Sequence, residues 1–442
     1  MNLIYLHTHD TGRYLEPYGY AVPTPRLREL AGQSALFRNN YCCGPTCSPS
    51  RSAMLTGMVP HSCGMMGLAH RGFSIDYTKH LAQYLGRNGF ETVLCGMQHE
   101  AADAGMIGYS RVYIADKAGM ENATQWDEAN AASAISFLRE NHSKPFFLSF
   151  GLEHTHRPFT EFDDDLSRKY LRSPDPLPNS PEIRGDMQGF LTSARRADTV
   201  LGSVLDEIRR LGLDKDSVIF YTTDHGIAFP FMKCNLYDSG IGTALMIRYP
   251  GNPSAGAAKD SLTSHLDVFP TVCDLLGVPK PEWLQGKSLL PILENKSDEV
   301  NDRIFAEVTY HASYDPQRAV RTKRYKYIRR FNPEHTVPVL ANIDNSPSKE
   351  YMLSAGLAEM AIDQEQLFDL DLDPNERQNR VHDGQYTAVR KELSDMLDHF
   401  MEETDDPLRK GPVPLPKGAF VNTLACADPE SLREEDIFTQ ET

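Results

Sequence analysis

Short apolar runs that end in polar, ligand-bearing clusters set the frame for this chain. Residues 3–6, 91–95, 145–152, 217–221 and 244–249 are dominated by Val, Ile, Leu, Phe and Tyr and show little polar alternation. Runs of this length and texture describe strands buried on both faces of a sheet. Between them lie stretches with helical spacing: 27–35, 80–88 (closed by Gly89), 268–276, and 197–211 with Val200, Leu201, Val204, Leu205, Ile208 and Leu211. Strand–helix alternation across residues 1–300 predicts an α/β fold with a large, mostly parallel central sheet flanked by helices. After Leu293 the texture changes. Residues 294–303 are polar and charged and read as a linker; strand-like segments at 304–308, 319–321, 325–329 and 366–370 and a helix near 386–402 follow. Residues 301–442 therefore read as a smaller C-terminal α+β domain. Its tail after Asp406, with Pro407, Pro412, Pro414 and Pro416, is expected to run extended over the surface.

Charge narrows the function classes. The 442 residues hold 45 Lys and Arg against 61 Asp and Glu, a net −16 at pH 7. That balance excludes the basic face of a nucleic-acid binder, but a local pocket of cations still admits an anionic small substrate. No apolar run approaches the ~18 residues of a membrane span. Met1 leads directly into the first strand, without a basic n-region or an apolar h-region, so the expected location is cytoplasmic. The eight cysteines, at 42, 43, 47, 63, 95, 234, 273 and 426, are too few and too scattered for a disulfide scaffold.

Ligands bind parallel α/β sheets beyond the carboxyl ends of the strands. Four clusters fall there: His7-Thr8-His9-Asp10, His99, His154-Thr155-His156 and Asp224-His225-Gly226. One histidine beside a strand is commonly structural; four clusters at equivalent positions point to a site. Asp and His together suit a divalent cation, and the carboxylates favour a hard ion such as Ca²⁺ or Mg²⁺. The most specific segment is Cys47-Ser48-Pro49-Ser50-Arg51-Ser52-Ala53-Met54-Leu55-Thr56-Gly57. It reads as a turn into a helix N-terminus, with Ser48 or Ser50 as the cap, and such a terminus offers N–H groups and a positive dipole to an oxyanion. Arg51 lies four residues after Cys47, one helical turn on, so the two side chains share a face.

The segment matches the sulfatase signature Cys-x-Pro-Ser-Arg-x-x-x-Leu-Thr-Gly at every defining position. The resemblance spans nearly the whole chain, through Thr24-Pro25-Arg26-Leu27, Leu36-Phe37-Arg38-Asn39, His156-Arg157-Pro158-Phe159, Thr222-Thr223-Asp224-His225-Gly226, Lys233-Cys234-Asn235-Leu236-Tyr237, Gly286-Lys287-Ser288-Leu289-Leu290-Pro291 and Leu367-Phe368-Asp369-Leu370 with Asp373-Pro374. The chain thus resembles the type I, formylglycine-dependent sulfatases of the alkaline-phosphatase superfamily. Pro60-His61 and Gly64-Met65-Met66-Gly67-Leu68 look most like the sulfoglucosamine sulfohydrolase (heparan N-sulfatase) branch.

The resemblance implies hydrolysis of a sulfate ester or sulfamate on a sulfated sugar. It implies that a formylglycine-generating maturase oxidises Cys47, whose hydrate is the nucleophile. It places Asp10, Asp224, His225 and the hydrated Cys47 around one divalent metal, Ca²⁺ in the first place with Mn²⁺ or Mg²⁺ as alternatives. Arg51, His99, His156 and Lys233 become the catalytic side chains: His99 and His156 in acid–base or sulfate-binding roles, and Lys233 as a cation on the sulfate. Two departures stand out. His9-Asp10 replaces the usual Asp-Asp, and Gly96-Met97-Gln98-His99 replaces Gly-Lys-x-His, so Met97 occupies the position of a lysine. His70 and Arg71 are the candidates to supply the missing cation. Two other readings stay open at this level: a phosphonate monoester or phosphodiester hydrolase of the same superfamily, and a degenerate, binding-only relative that has lost an Asp and a Lys.

A net charge of −16 repels a polyanionic sugar at long range, whereas the cations expected at the site act only at short range. Salt screens the first effect more than the second, since the Debye length is about 8 Å at physiological ionic strength. The KM for a polysulfated oligosaccharide is therefore expected to fall or stay flat as salt rises in steady-state assays. A steep rise would reveal an extended basic groove.

Overall fold

The first sheet explains why the strand runs are continuously apolar. The computed structural model describes residues 1–440. Nine strands form this sheet: β1 (Asn2–Thr8), β2 (Ala35–Tyr41), β3 (Glu91–Gly96), β4 (Arg111–Tyr113), β5 (Phe146–Gly151), β6 (Ser217–Thr223), β7 (Gly242–Thr243), β8 (Leu245–Arg248) and β9 (Ala258–Ser264). Their order is β4-β3-β5-β1-β6-β8-β2-β7, with β9 also on β2. The β4-β3-β5-β1-β6 half is all parallel, while β8 runs antiparallel to both β6 and β2. Along β1, Ile4 and Leu6 enter the core on one face and Leu3 and Tyr5 the core on the other. Both faces are dry, so no polar alternation appears. Register then does the functional work: His7 lies opposite Gly151 of β5 and Thr222 of β6, so these three strands end level and their following loops converge.

Helices cover both faces. The one expected over 27–35 spans Pro25–Ala31, and Ala35 already belongs to β2. Ser34 Oγ bonds back to the Leu30 carbonyl at 2.8 Å and turns the chain there. The helix expected from 197 begins at Pro181 and runs to Arg210, capped by Ser180, whose Oγ accepts the Ile183 N–H. A helix at Ala123–Leu138 escapes the apolar pattern because two of its inward residues, Asp127 and Asn130, are polar. None of the described helices is long and apolar enough to cross a membrane, and all eight cysteines are free.

The second sheet is antiparallel: β10 (Arg303–Tyr310), β11 (Tyr314–Thr322), β12 (Tyr325–Arg330) and β13 (Glu365–Asp369) in that order. The helix Thr387–Glu403 packs Leu393, Leu397 and Met401 against Tyr310, Val320, Tyr327 and Leu367. Met65, Ala69 and Phe73 from the N-terminal part enter the same cluster, so this core is shared. The tail departs from expectation. Val413, Leu415, Ala419 and Val421 are buried in that core, and β14 (Phe420–Asn422) pairs with β15 (Ile437–Thr439). Prolines 412 and 414 face out while Val413 and Leu415 face in, the period-two pattern of an extended strap.

A buried charge network ties the two parts together. Arg318 grips Asp406 through Nε at 2.5 Å and Nη2 at 3.0 Å. Glu307 accepts from the His61 backbone N–H at 2.8 Å and pairs with its Nδ1 at 2.5 Å. Asp406→Ala would leave the buried Arg318 with only its longer 3.8 Å contact to Glu307 as an ion pair, at a cost of about 3 kcal/mol. Chemical denaturation is expected to show that loss, and the double change Arg318→Met with Asp406→Leu to recover most of it.

Candidate active site

The four strand-end clusters meet at one buried point. Asp10 follows β1 with φ 50°, a left-handed backbone that Asp tolerates better than most residues. His99, after β3, sits at φ 106°. Strained positions of this kind concentrate at functional sites. The loops after β1 and β6 touch because both carry glycine: a Cβ on Gly226 would lie 1.9 Å from the Ser239 carbonyl oxygen, and one on Gly12 3.0 Å from Gly226 Cα.

The Cys47 segment forms the helix Cys47–Thr56, with all ten residues buried. Its N-cap position is Thr46, not Ser48 or Ser50. Ser48 Oγ instead accepts the Ala69 N–H at 3.1 Å, and Ser50 Oγ donates to the Asp224 carbonyl at 2.5 Å. These bonds pin the helix to the strand-end loops and aim its N-terminus at the site. Cys47 Sγ lies 4.0 Å from Asp10 Oδ1. Burial pushes the Cys47 thiol well above its usual pKa, with Lys233 opposing the shift. The unmodified side chain is therefore a protonated, poor nucleophile.

Asp10 and Asp224 are both fully buried in charged form. Burial alone would raise the Asp10 pKa, but Lys233, His156, His9 and His225 outweigh it and hold the carboxyl well below its usual range. Asp224 is likewise held low against burial, by His225, Arg51 and His9. Asp224 Oδ1 accepts the backbone N–H groups of Asp10 at 2.8 Å and His225 at 3.0 Å, and Oδ2 pairs with Arg51 Nη2 at 2.9 Å. The second arm of Arg51 reaches His7 Nδ1 at 2.6 Å. Lys233 Nζ bridges Asp10 Oδ2 at 2.9 Å and Asp344 Oδ2 at 3.0 Å. These two carboxylates overcome the desolvation of Lys233 and keep its pKa well raised.

Around this pair stand the histidines. His9 Nδ1 is 2.7 Å from Asp10 Oδ1 and 3.2 Å from Asp224 Oδ2, and its Nε2 is 2.9 Å from His99 Nδ1. Burial lowers the His9 pKa to about 4, against the pull of Asp224 and Asp10. His156 Nε2 lies 3.9 Å from Asp10 Oδ2, on the side where its ring is 32% exposed. His225 Nδ1 meets the Gly226 carbonyl at 2.9 Å, which places the ring proton on Nδ1 and the lone pair on Nε2. That Nε2 is buried without a hydrogen-bond partner and sits 3.2 Å from Asp10 Oδ1. Two acceptors facing each other with no proton between them fit a shared cation. Asp10, Cys47, Asp224 and His225 offer ligand atoms all within 4.8 Å of one another, as do His9, Asp10, Cys47 and His156.

Every residue singled out from the sequence as a site residue lies in this group, but Arg71, a candidate for the missing cation, does not act there. Arg71 is spent on the Ala312 and Pro429 carbonyls and Asn422 Oδ1, pinning the tail. Arg157 forms a two-armed pair with Asp186 at 2.6–2.7 Å between Phe159 and Phe229. His154, two residues before His156, is structural and pairs with Asp127 at 2.5 Å. Sequence reasoning missed Asp344 and His311, and gave His7, named in the first cluster, no role of its own. Asp344 reaches Lys233 from the loop before the helix Pro347–Ser354. His311 is 5% exposed with Nδ1 unpartnered, and burial, then Lys233, drives its pKa down. No local motif marks Asp344 or His311, because both come from the second sheet's loops.

A family model described as "Sulfatase" matches residues 1–278, and one described as "N-sulphoglucosamine sulphohydrolase, C-terminal" matches residues 224–352. The chain is 29% identical to an N-sulphoglucosamine sulphohydrolase of Homo sapiens over 88% of this chain and 87% of that one. It is 27% identical to an ulvan-active sulfatase of Formosa agariphila over 96% and 77% of the two chains. Among solved structures, one in complex with its substrate D-glucosamine-2-N,6-O-disulfate superposes with a TM-score of 0.70 at 19% identity, over 93% of this chain and 99% of that one. That likeness gives the same α/β architecture. With the family model covering the whole first sheet and every strand-end cluster, the chain belongs to the sulfatase family and is a sulfuric-ester hydrolase.

Proposed function

We propose that this sulfatase hydrolyses a sulfate ester or sulfamate on a sulfated sugar, using a formylglycine hydrate at position 47 and one divalent cation. One observation carries the reading: Cys47, Asp10, Asp224 and His225 converge within 4.8 Å, with Lys233 against Asp10 and Arg51 against Asp224. The sugar class is supported by the relatives acting on sulfoglucosamine and ulvan.

Cys47 is 4% exposed, on a helix without an accessible residue. A maturase must therefore reach it before the chain folds. The hydrate supplies one hydroxyl to attack sulfur and a second whose deprotonation lets sulfate leave, an exit that a thiol lacks. Asp10, Asp224, His225 and the residue at 47 would hold the cation, which supplies positive charge where the transferred group turns more anionic. Lys233, fixed between two carboxylates, presents a permanent ammonium beside that group. Arg51 acts through its fork, holding Asp224 and His7 in register from the same helix that carries Cys47. His99 and His156 border the more open side of the site, where a proton must pass to the leaving oxygen and be taken from the second hydroxyl.

Mass spectrometry of the Cys47 peptide from matured protein is expected to show CH2–SH converted to CHO, with sulfur and two hydrogens lost for one oxygen, and Cys47→Ala to abolish aryl sulfate turnover while the circular dichroism spectrum of the fold is kept. Wild-type kcat in Cys47→Ala, or a preference for aryl phosphate over aryl sulfate, would overturn the reading. Arg51→Lys keeps the charge but not the two-armed contact. It is expected to lower kcat/KM by about a hundredfold, the scale of a lost preorganised contact, in the same steady-state assay.

A further inference from the structure

The donor atoms facing one another at the site are mixed in kind. His9 Nδ1 lies 2.7 Å from Asp10 Oδ1 and 3.2 Å from Asp224 Oδ2. His225 Nε2 lies 3.2 Å and 3.6 Å from the same two oxygens. Two nitrogens thus face the same two carboxylate oxygens, and all four side chains are at most 1% exposed. No third carboxylate joins either group of possible ligands among the described residues. Asp344 is held away by Lys233. Ca²⁺ takes six to eight oxygens, whereas imidazole nitrogen suits borderline first-row ions.

The second nitrogen of His9 adds a consequence. His9 Nε2 and His99 Nδ1 are 2.9 Å apart, so one carries the proton and the other accepts it. If His9 Nδ1 gives its lone pair to a cation, the His9 proton sits on Nε2 and is donated to His99 Nδ1. Neutral His99 then carries its own proton on Nε2. If His9 Nδ1 instead donates to the carboxylates, His99 must donate from Nδ1 and is left with a bare Nε2. The choice of ligand therefore sets whether His99 offers a donor or an acceptor at its far nitrogen.

We propose that His9 is a metal ligand through Nδ1, that the resulting two-nitrogen, two-carboxylate set selects a first-row transition dication (Mn²⁺ or Zn²⁺) over Ca²⁺, and that this ligation fixes His99 as an Nε2–H donor. The proposal rests on the metal-dependent reading above, and its test does not depend on turnover. Full-length protein stripped with a chelator is equilibrated with equal Ca²⁺, Mg²⁺, Mn²⁺ and Zn²⁺, desalted, and its metal content measured per chain. Wild type is expected to retain Mn²⁺ or Zn²⁺ with Ca²⁺ about tenfold lower, and His9→Asp to move that ratio about tenfold toward Ca²⁺. His9→Gln, which offers no imidazole nitrogen, is the second variant if His9→Asp fails to fold, and is expected to lose the transition-metal preference. Nitrogen-15 shifts of labelled histidine in Zn²⁺-loaded protein are expected to show His99 protonated at Nε2 and bare at Nδ1.

Ca²⁺ preferred by wild type, a ratio unmoved by His9→Asp or His9→Gln, or His99 bare at Nε2 would overturn this proposal and leave the sulfatase reading intact. Failure to retain any divalent ion would overturn both.

Discussion

Two carboxylates without solvent, at the ends of neighbouring parallel strands, are the constraint on which the rest of the structure depends. Asp10 and Asp224 share His9 Nδ1 between them, so their like charges lie close together in a low-dielectric interior. Isolated, they would take up protons or unfold the site. Arg51, Lys233 and the backbone N–H groups of Asp10 and His225 supply the opposing charge and dipoles. The same groups make the site an anion-processing centre, because positive potential assembled to hold two carboxylates also faces any sulfate brought to them.

That arrangement couples the two sheets. Lys233 is shared with Asp344, which comes from the C-terminal part, so one carboxylate beyond the first sheet helps fix the charge and place of a site lysine. Arg71 holds the tail to the first part, and the His61, Glu307, Arg318 and Asp406 network clamps the segment that follows the Cys47 helix. The chain can keep residues from distant stretches aligned because these buried ion pairs tolerate little displacement. The net −16 of the whole molecule coexists with this pocket because the cations are inside and paired.

How much of this was legible depended on whether local pattern and local environment agreed. Strands β1, β3, β5 and β6 were legible because their inward residues on both faces are mostly apolar. The helix Ala123–Leu138 was not. Asp127 and Asn130 face inward to bond the His154 segment and the Ala115 N–H, which erases the apolar stripe. The tail was misjudged because prolines signal an extended chain without saying where it lies, and the apolar residues between them find a groove only once the second sheet exists. Position in the motif located Asp10, Cys47, Arg51, Asp224 and His225, whereas Asp344 and His311 stand in loops with no signature.

The sequence alone determined the strand–helix alternation, the Cys47 helix and the placing of acidic and histidine residues just beyond strand ends, because these follow from short-range periodicity and spacing. Only the tertiary structure decided which residue of each cluster faces the site. His154 and His156 are two apart, yet one is buried against Asp127 and the other turns toward Asp10. Arg157, the residue after His156, turns away to Asp186. Side-chain direction on a loop is set by the partner it finds, and those partners lie on strands and loops far away in the chain.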